Sequence, residues 1–193
     1  MSEENPEFVD PQNFLGGKPV VLVGLMGAGK TTLGRRLARA LKRGFRDADV
    51  EIERAAGLSI AEIFELRGEA DFRRGERAVI ARLLREESAN VLATGGGAFI
   101  DPETRSLVKE RALSVWLRAD IEVLLRRVAR RNTRPLLLQG DPRQILDELI
   151  AKRYPIYAQA DLVVDSFDGT HEATLQAMLS ALQEKDLQMR SQQ

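Results

Sequence analysis

The chain contains no cysteine, which excludes disulfides and thiolate–zinc sites. That absence is compatible with a reducing compartment. Histidine occurs once, as His171, which reads as helping to begin the last helix and takes no catalytic role. No apolar run is long enough to cross a bilayer. Neither sign of charge prevails. Lys plus Arg and Asp plus Glu number 29 each, a balance that speaks against a general nucleic-acid binder, which carries a net basic surface. Residues 1–18 lack the basic start and apolar core of a signal peptide, and their acids do not suit a transit peptide. They read as a loose polar extension, and 186–193 as a polar C-terminal tail. There is no internal repeat, low-complexity tract or second core. What is present is 193 residues, 44% hydrophobic and 30% charged, which suits one soluble domain over 19–185.

Within that domain short apolar runs alternate with helical patterns. Strands are expected at 19–23, 43–47, 90–94, 113–117 and 162–165. Helices are expected from about 30, from the Ser59-Ile60-Ala61-Glu62 capping-box spacing, over about 71–87, and after Asp101-Pro102, Asp120 and Asp141-Pro142. A final amphipathic helix uses Leu175, Met178, Leu179 and Leu182. Such alternation predicts an α/β three-layer sandwich whose five-stranded parallel sheet has helices on both faces. Right-handed crossovers put every loop that follows a strand at one edge, where open α/β sheets bind ligands. Trp116 reads as sheet core.

The most informative loop is Gly24-Leu25-Met26-Gly27-Ala28-Gly29-Lys30-Thr31, which fits G-x-x-x-x-G-K-[ST]. A strand leads into it, and a helix with Leu33, Leu37 and Leu41 on one face leads out. Glycines let the backbone wrap an anion, and the helix N-terminus adds partial positive charge. In this pattern Lys30 reaches the β- and γ-phosphates and Thr31 holds Mg²⁺. Gly27, Ala28, Gly29 and Thr32 would complete a cradle for the phosphates of a nucleoside triphosphate.

Other segments follow strands at the same edge. Asp47 and Asp49 read either as a helix cap or as a pair of site acids, one near a metal and one near an attacking hydroxyl. The two acids could face different ligands. Arg73, three residues before Glu76, reads as a carboxylate clamp oriented by that acid or as a surface ion pair. Gly95, Gly96 and Gly97 either bring backbone N–H groups to a ligand or form a plain turn. Arg126, Arg127, Arg130, Arg131 and Arg134 read as a solvated basic face, an RNA surface without interleaved aromatics, or the cations of a phosphoryl-transfer lid. Arg153 reads on its own as a complement to a helix dipole.

Together, Gly24–Thr31, Asp47-Ala48-Asp49, Phe72-Arg73-Arg74, Thr94-Gly95-Gly96-Gly97 and Arg134-Pro135-Leu136 stand in the order and spacing of the shikimate kinases, and the chain resembles that family over about Val20 to Asp165. The resemblance implies the nucleoside-monophosphate-kinase fold, with a substrate-binding subdomain here at about 48–77 and a lid at about 128–141. It implies transfer of the γ-phosphoryl of ATP to the 3-hydroxyl of shikimate, on the route to chorismate and the aromatic amino acids. By motif, Lys30, Asp49 and Arg134 would be catalytic. Thr31 would ligate Mg²⁺ directly and Asp47 through water. Asp49, Phe64, Phe72, Arg73, Glu76, Gly95, Gly96, Gly97, Leu136 and Arg153 would bind shikimate, while Arg127 and Arg134 join the ATP site. A monomer is expected because no surplus apolar helix face stands out, and the expected setting is the cytoplasm, with neither nucleic acid nor membrane as partner. Leu25 departs from the family, which often has an aromatic residue there. The rival readings are another small-metabolite kinase of the same fold, such as a gluconate kinase, and a non-catalytic nucleotide- or RNA-binding module.

Overall fold

Val20–Val23 forms strand β1, and all four of its side chains are buried because the sheet is covered on both faces. The structure is a computed structural model that describes residues 14–85, 90–129 and 140–192. β2 (Phe45–Asp47), β3 (Val91–Ala93), β4 (Leu113–Arg118) and β5 (Leu162–Asp165) complete a five-stranded sheet in the order β2-β3-β1-β4-β5. Every pairing is parallel, as the alternation of strands and helices predicts. Val20 stands opposite both Val91 and Leu113, and Phe45 opposite Val91. This register brings the carboxyl ends of the strands to one edge, so the segments after β1, β2, β3 and β5 open side by side.

The helices are α1 (Lys30–Ala40), α2 (Ala48–Ala56), α3 (Ile60–Arg85), α4 (Pro102–Arg111), α5 (Ile121–Ala129), α6 (Pro142–Tyr157) and α7 (His171–Arg190). α1 buries Leu33, Leu37 and Ala38 against the sheet, with Leu41 just beyond its end. Gly34 lets it lie close, since a Cβ there would come within 2.7 Å of the Phe45 ring. The capping signals work as written. Ser59 N–H and Oγ donate to Glu62 at 2.7 and 2.6 Å, and Glu62 N–H donates to Ser59 Oγ at 3.3 Å. Thr104 N–H donates to Asp101 Oδ2 at 2.9 Å, and Arg143 N–H to Asp141 Oδ1 at 3.1 Å.

The helices expected from Ser59 and over about 71–87 are both present, run together as α3 and separated by a non-helical break at Gly68 (φ 78°, ψ 172°). Two other expectations need correction. The loose N-terminal extension does not include its last residues. Phe14–Gly17 forms a 3-10 turn with Phe14 and Leu15 buried, Arg43 Nη2 donates to Phe14 O at 2.6 Å, and Arg43 Nη1 donates to Lys18 O at 3.0 Å. The polar tail is not a tail through Arg190 either, because α7 continues to that residue. Asp186 is 4% exposed; it accepts the Leu15 N–H at 2.6 Å and pairs with Arg190 at 2.8 Å. The sheet core includes Trp116, whose ring packs edge-on against Tyr154 and beside Tyr157.

Candidate active site

The loop between β1 and α1 holds its shape because its glycines adopt angles that other residues resist. Gly29 caps α1 at φ 97°, and a Cβ on Gly24 (φ 136°) would lie 2.7 Å from Leu117 O. The first N–H groups of α1 therefore face the cleft without helical partners, which is how helix N-termini take anions. Lys30, at the first helical position, is 9% exposed and donates from Nζ to Gly24 O at 2.7 Å and Leu25 O at 2.9 Å. Its ammonium is thus drawn back across the loop it follows.

Next to Lys30, Thr31 Oγ1 donates to Asp47 Oδ2 at 2.8 Å. Asp47 ends β2, and its Oδ1 accepts the Asp49 N–H at 3.1 Å. One Asp47 oxygen therefore caps α2, as the cap reading expects, and the other holds Thr31. Asp49 lies in the first turn of α2 rather than on extended chain, and both acids line one cleft.

That cleft, about 330 Å³, is lined by Gly27, Gly29, Lys30, Thr31, Thr32, Asp47, Asp49, Thr94, Gly95, Gly96, Arg127 and Val128, and by Asp168, Gly169 and His171 after β5. Ala28 is buried beneath it. The turn after β3 is where two acids and two arginines meet. A Cβ on Gly95 would come within 2.9 Å of Asp49 Oδ1 and 3.1 Å of Glu76 Oε1, one on Gly96 within 3.4 Å of Arg153 Nη1, and one on Gly97 within 2.3 Å of Arg73 Nη1. The three glycines therefore make room for two acids and two guanidiniums, which a plain turn does not require.

Arg73 Nη1 donates to Glu76 Oε2 at 2.6 Å, and Glu76 is 2% exposed. This is not a surface ion pair. Burial, the largest influence, raises the Glu76 carboxyl above its usual range against the opposing pull of Arg73, and nearby Asp49 adds to the rise. Glu76 Oε1 is buried with no hydrogen-bond partner. Arg153 Nη1 donates to Gly96 O at 3.2 Å, so this arginine serves the glycine turn and not merely a helix end. Phe72 is buried and stacks on Phe64, their centroids 4.6 Å apart, with the Arg73 guanidinium over the Phe72 ring.

Against the phosphate-loop glycines, Arg127 Nη1 donates to Gly27 O and Ala28 O, each at 3.3 Å, and to Ser166 Oγ at 2.8 Å; its Nη2 donates to Phe167 O at 2.6 Å. Burial is the main reason its guanidinium is lowered from the ordinary value, with Asp168 pulling the other way. Arg126 pairs with Asp168 at 2.7 Å. Arg134 and Leu136, with Arg130 and Arg131, lie outside the described residues, as does most of the expected lid.

Sequence reasoning gave Ser166, Asp168, Gly169 and His171 no place in the cleft. The signal that finds them is their place just beyond a strand's carboxyl end, not a motif. It also passed over Tyr157, whose hydroxyl donates to Gly96 O and whose only sequence clue is its spacing of four from Arg153. No cluster of three His, Cys, Asp or Glu that could hold a metal occurs among the described residues. Any cation would rely on one or two protein oxygens and on its ligand's phosphates, which is how Mg²⁺ is commonly held.

Residues 26–183 match the shikimate kinase family model. The shikimate kinase of Caulobacter vibrioides is 55% identical over 170 residues, covering 88% of this chain and 84% of that protein. A solved structure of the Acinetobacter baumannii shikimate kinase in complex with shikimate superposes with a TM-score of 0.82 at 40% identity, covering 87% of this chain and 94% of that one. A gluconokinase from Sinorhizobium meliloti superposes at 0.63 with 17% identity over 91% of this chain and 97% of its own, a likeness of fold alone. With the phosphate loop, the acids after β2 and the glycine turn meeting at one sheet edge, and with relatives alike over most of its length, the chain belongs to the shikimate kinase family.

Proposed function

We propose that this cleft binds ATP at Gly27–Thr32 and shikimate around the Gly95–Gly97 turn, and transfers the γ-phosphoryl group to the shikimate 3-hydroxyl. The observation that carries the reading is the convergence of Asp49, Arg73 and Arg153 on three glycines beside Lys30 and Thr31. A substrate carboxylate suits the two guanidiniums, since arginine grips it with a planar fork. Glu76 holds the Arg73 fork from behind. Gly96 presents backbone, and Phe64 and Phe72 form the apolar wall. Asp49 accepts the proton of the 3-hydroxyl while that oxygen bonds to the γ-phosphorus; the bond from phosphorus to the β–γ bridging oxygen breaks, and ADP leaves with it. Lys30 balances charge on the β- and γ-phosphates. Arg127 borders the base end of the site.

The Thr31 hydroxyl and the Asp47 carboxylate, hydrogen-bonded to each other, form a hard-oxygen pair that fits Mg²⁺, Thr31 as a direct ligand and Asp47 through water. Bound there, the ion would neutralise charge developing on the β- and γ-oxygens. Arg134 and Leu136 keep the lid roles that the family resemblance gives them. No helix among the described residues is long and apolar enough to cross a membrane, and this reading includes a cytoplasmic monomer with no nucleic-acid partner. The product, shikimate 3-phosphate, lies on the route to chorismate and the aromatic amino acids.

The test is ATP-dependent phosphorylation measured with shikimate and, in parallel, gluconate. Turnover of shikimate with Mg²⁺ is expected. Folded protein that phosphorylates gluconate in its place would overturn the acceptor assignment, and salt-dependent RNA binding without turnover of either acid would overturn the enzyme assignment.

A further inference from the structure

We propose that Tyr157 is a positioning residue for shikimate, acting through Gly96 and Arg153; the inference rests on the acceptor assignment made above. Tyr157 lies at the end of α6 with no solvent exposure. Its hydroxyl donates to Gly96 O, and Arg153 Nη1 donates to the same oxygen at 3.2 Å. Phenol and guanidinium thus converge on one carbonyl oxygen from the same helix. The spacing of four puts Arg153 and Tyr157 one above the other on a single face of α6, turned toward the β3 glycine turn.

Two consequences follow for the acceptor end of the cleft. The Gly96 carbonyl receives two donors, which fixes the plane of the Gly96–Gly97 peptide and with it the direction of the Gly97 N–H. The Arg153 guanidinium is anchored on one edge before any ligand arrives, which lowers the ordering cost of binding a carboxylate. Burial pushes the Tyr157 hydroxyl up to about 12, against the opposing influence of Arg153, so it remains a proton donor across the working range. The rest of the ring is held from behind by Trp116 and Tyr154, with centroids 5.9 and 6.3 Å away. Core packing alone would be served by phenylalanine; only the hydroxyl reaches the site. Tyr154 supplies the contrast within the same aromatic layer, because its hydroxyl donates to Ala119 O in the connection between β4 and α5.

The test compares Tyr157→Phe, Tyr154→Phe and Arg153→Ala in steady-state kinetics with each substrate varied. Tyr157→Phe is expected to raise the shikimate KM about tenfold while the ATP KM and kcat stay within about twofold, in line with the loss of a hydrogen bond in a charged set. Tyr154→Phe leaves the shikimate KM as it is. If Arg153→Ala weakens shikimate binding but folded Tyr157→Phe does not, the inference is overturned and the site assignment stands. If Arg153→Ala leaves the shikimate KM unchanged, the acceptor assignment itself fails. A readout that does not depend on a variant at 157 is also at hand, because the chain has two tyrosines. In Tyr154→Phe protein carrying 3-fluorotyrosine, the single fluorine resonance reports Tyr157, and saturating shikimate is expected to move it. A resonance that stays in place overturns the inference.

Discussion

Asp49 and Asp47 are two residues apart and carry the same group, yet their surroundings give them different work. Asp47 is committed through both oxygens, one to Thr31 Oγ1 and one to the Asp49 N–H. Asp49 stands over Gly95, next to Glu76 Oε1. In the proposed mechanism Asp49→Asn keeps ATP affinity but lowers kcat by about 10²–10⁴, the usual worth of a positioned general base. Nucleotide titration alongside turnover checks this, and a kcat near the parent value removes Asp49 from the chemistry. Glu76 allows a prediction about pH. Its folded-state pKa is raised above 4.5, chiefly by burial, so the folded chain holds a proton that the unfolded chain has already released. Stability associated with Glu76 is therefore greatest below 4.5 and is lost as pH rises through the higher folded value. Glu76→Gln cannot titrate, so its melting temperature should gain on the parent's as pH rises across that window. A constant difference across the same pH range would contradict this.

At the scale of elements, the glycine turn after β3 is the joint on which the acceptor site depends. A methyl group on Gly97 would lie 2.3 Å from Arg73 Nη1 and 2.7 Å from its Cζ, so Gly97→Ala must push the guanidinium away from Glu76. The expected result is a shikimate KM raised about tenfold, roughly the loss of one charged hydrogen bond, with the ATP KM unchanged because the phosphate loop is untouched. Kinetics with each substrate varied decide it; a rise in the ATP KM alone would place the turn on the wrong side of the cleft. Elements were also where sequence was most readable. The capping box at Ser59, the Asp-Pro starts at 101 and 141 and all five strands carry local signals, and local signals report hydrogen bonds made within a few residues. The separation of the helix opened at Ser59 from the one over about 71–87 was legible, but the exact place of the break was not: a glycine inside a helical pattern can continue or kink the helix, and the φ of 78° at Gly68 depends on how the two halves pack.

For the whole molecule, the two ends of the described chain are tied together. Asp186 of α7 takes the Leu15 N–H, while Arg43 secures Phe14 O and Lys18 O from the connection between α1 and β2. Asp186→Ala should cost about 1–3 kcal/mol, because it strands a buried N–H, and leave both substrate KM values alone since the contact is remote from the cleft. Chemical denaturation with kinetics at the same temperature checks both halves, and an unchanged midpoint would show the clamp to be idle. By itself the sequence determined the α/β class, the parallel sheet, the phosphate loop and the candidate acids and arginines. Each of these is written in a period, a cap or a motif a few residues long. Tertiary structure alone decided which readings of those residues hold. Asp49 and Glu76 meet over Gly95 from different helices, Tyr157 and Arg153 share a carbonyl about sixty residues away in the chain, and Asp186 is buried at an end that looked polar and free. Such contacts depend on sheet order and helix packing, which place distant residues within hydrogen-bond reach and which no local pattern encodes.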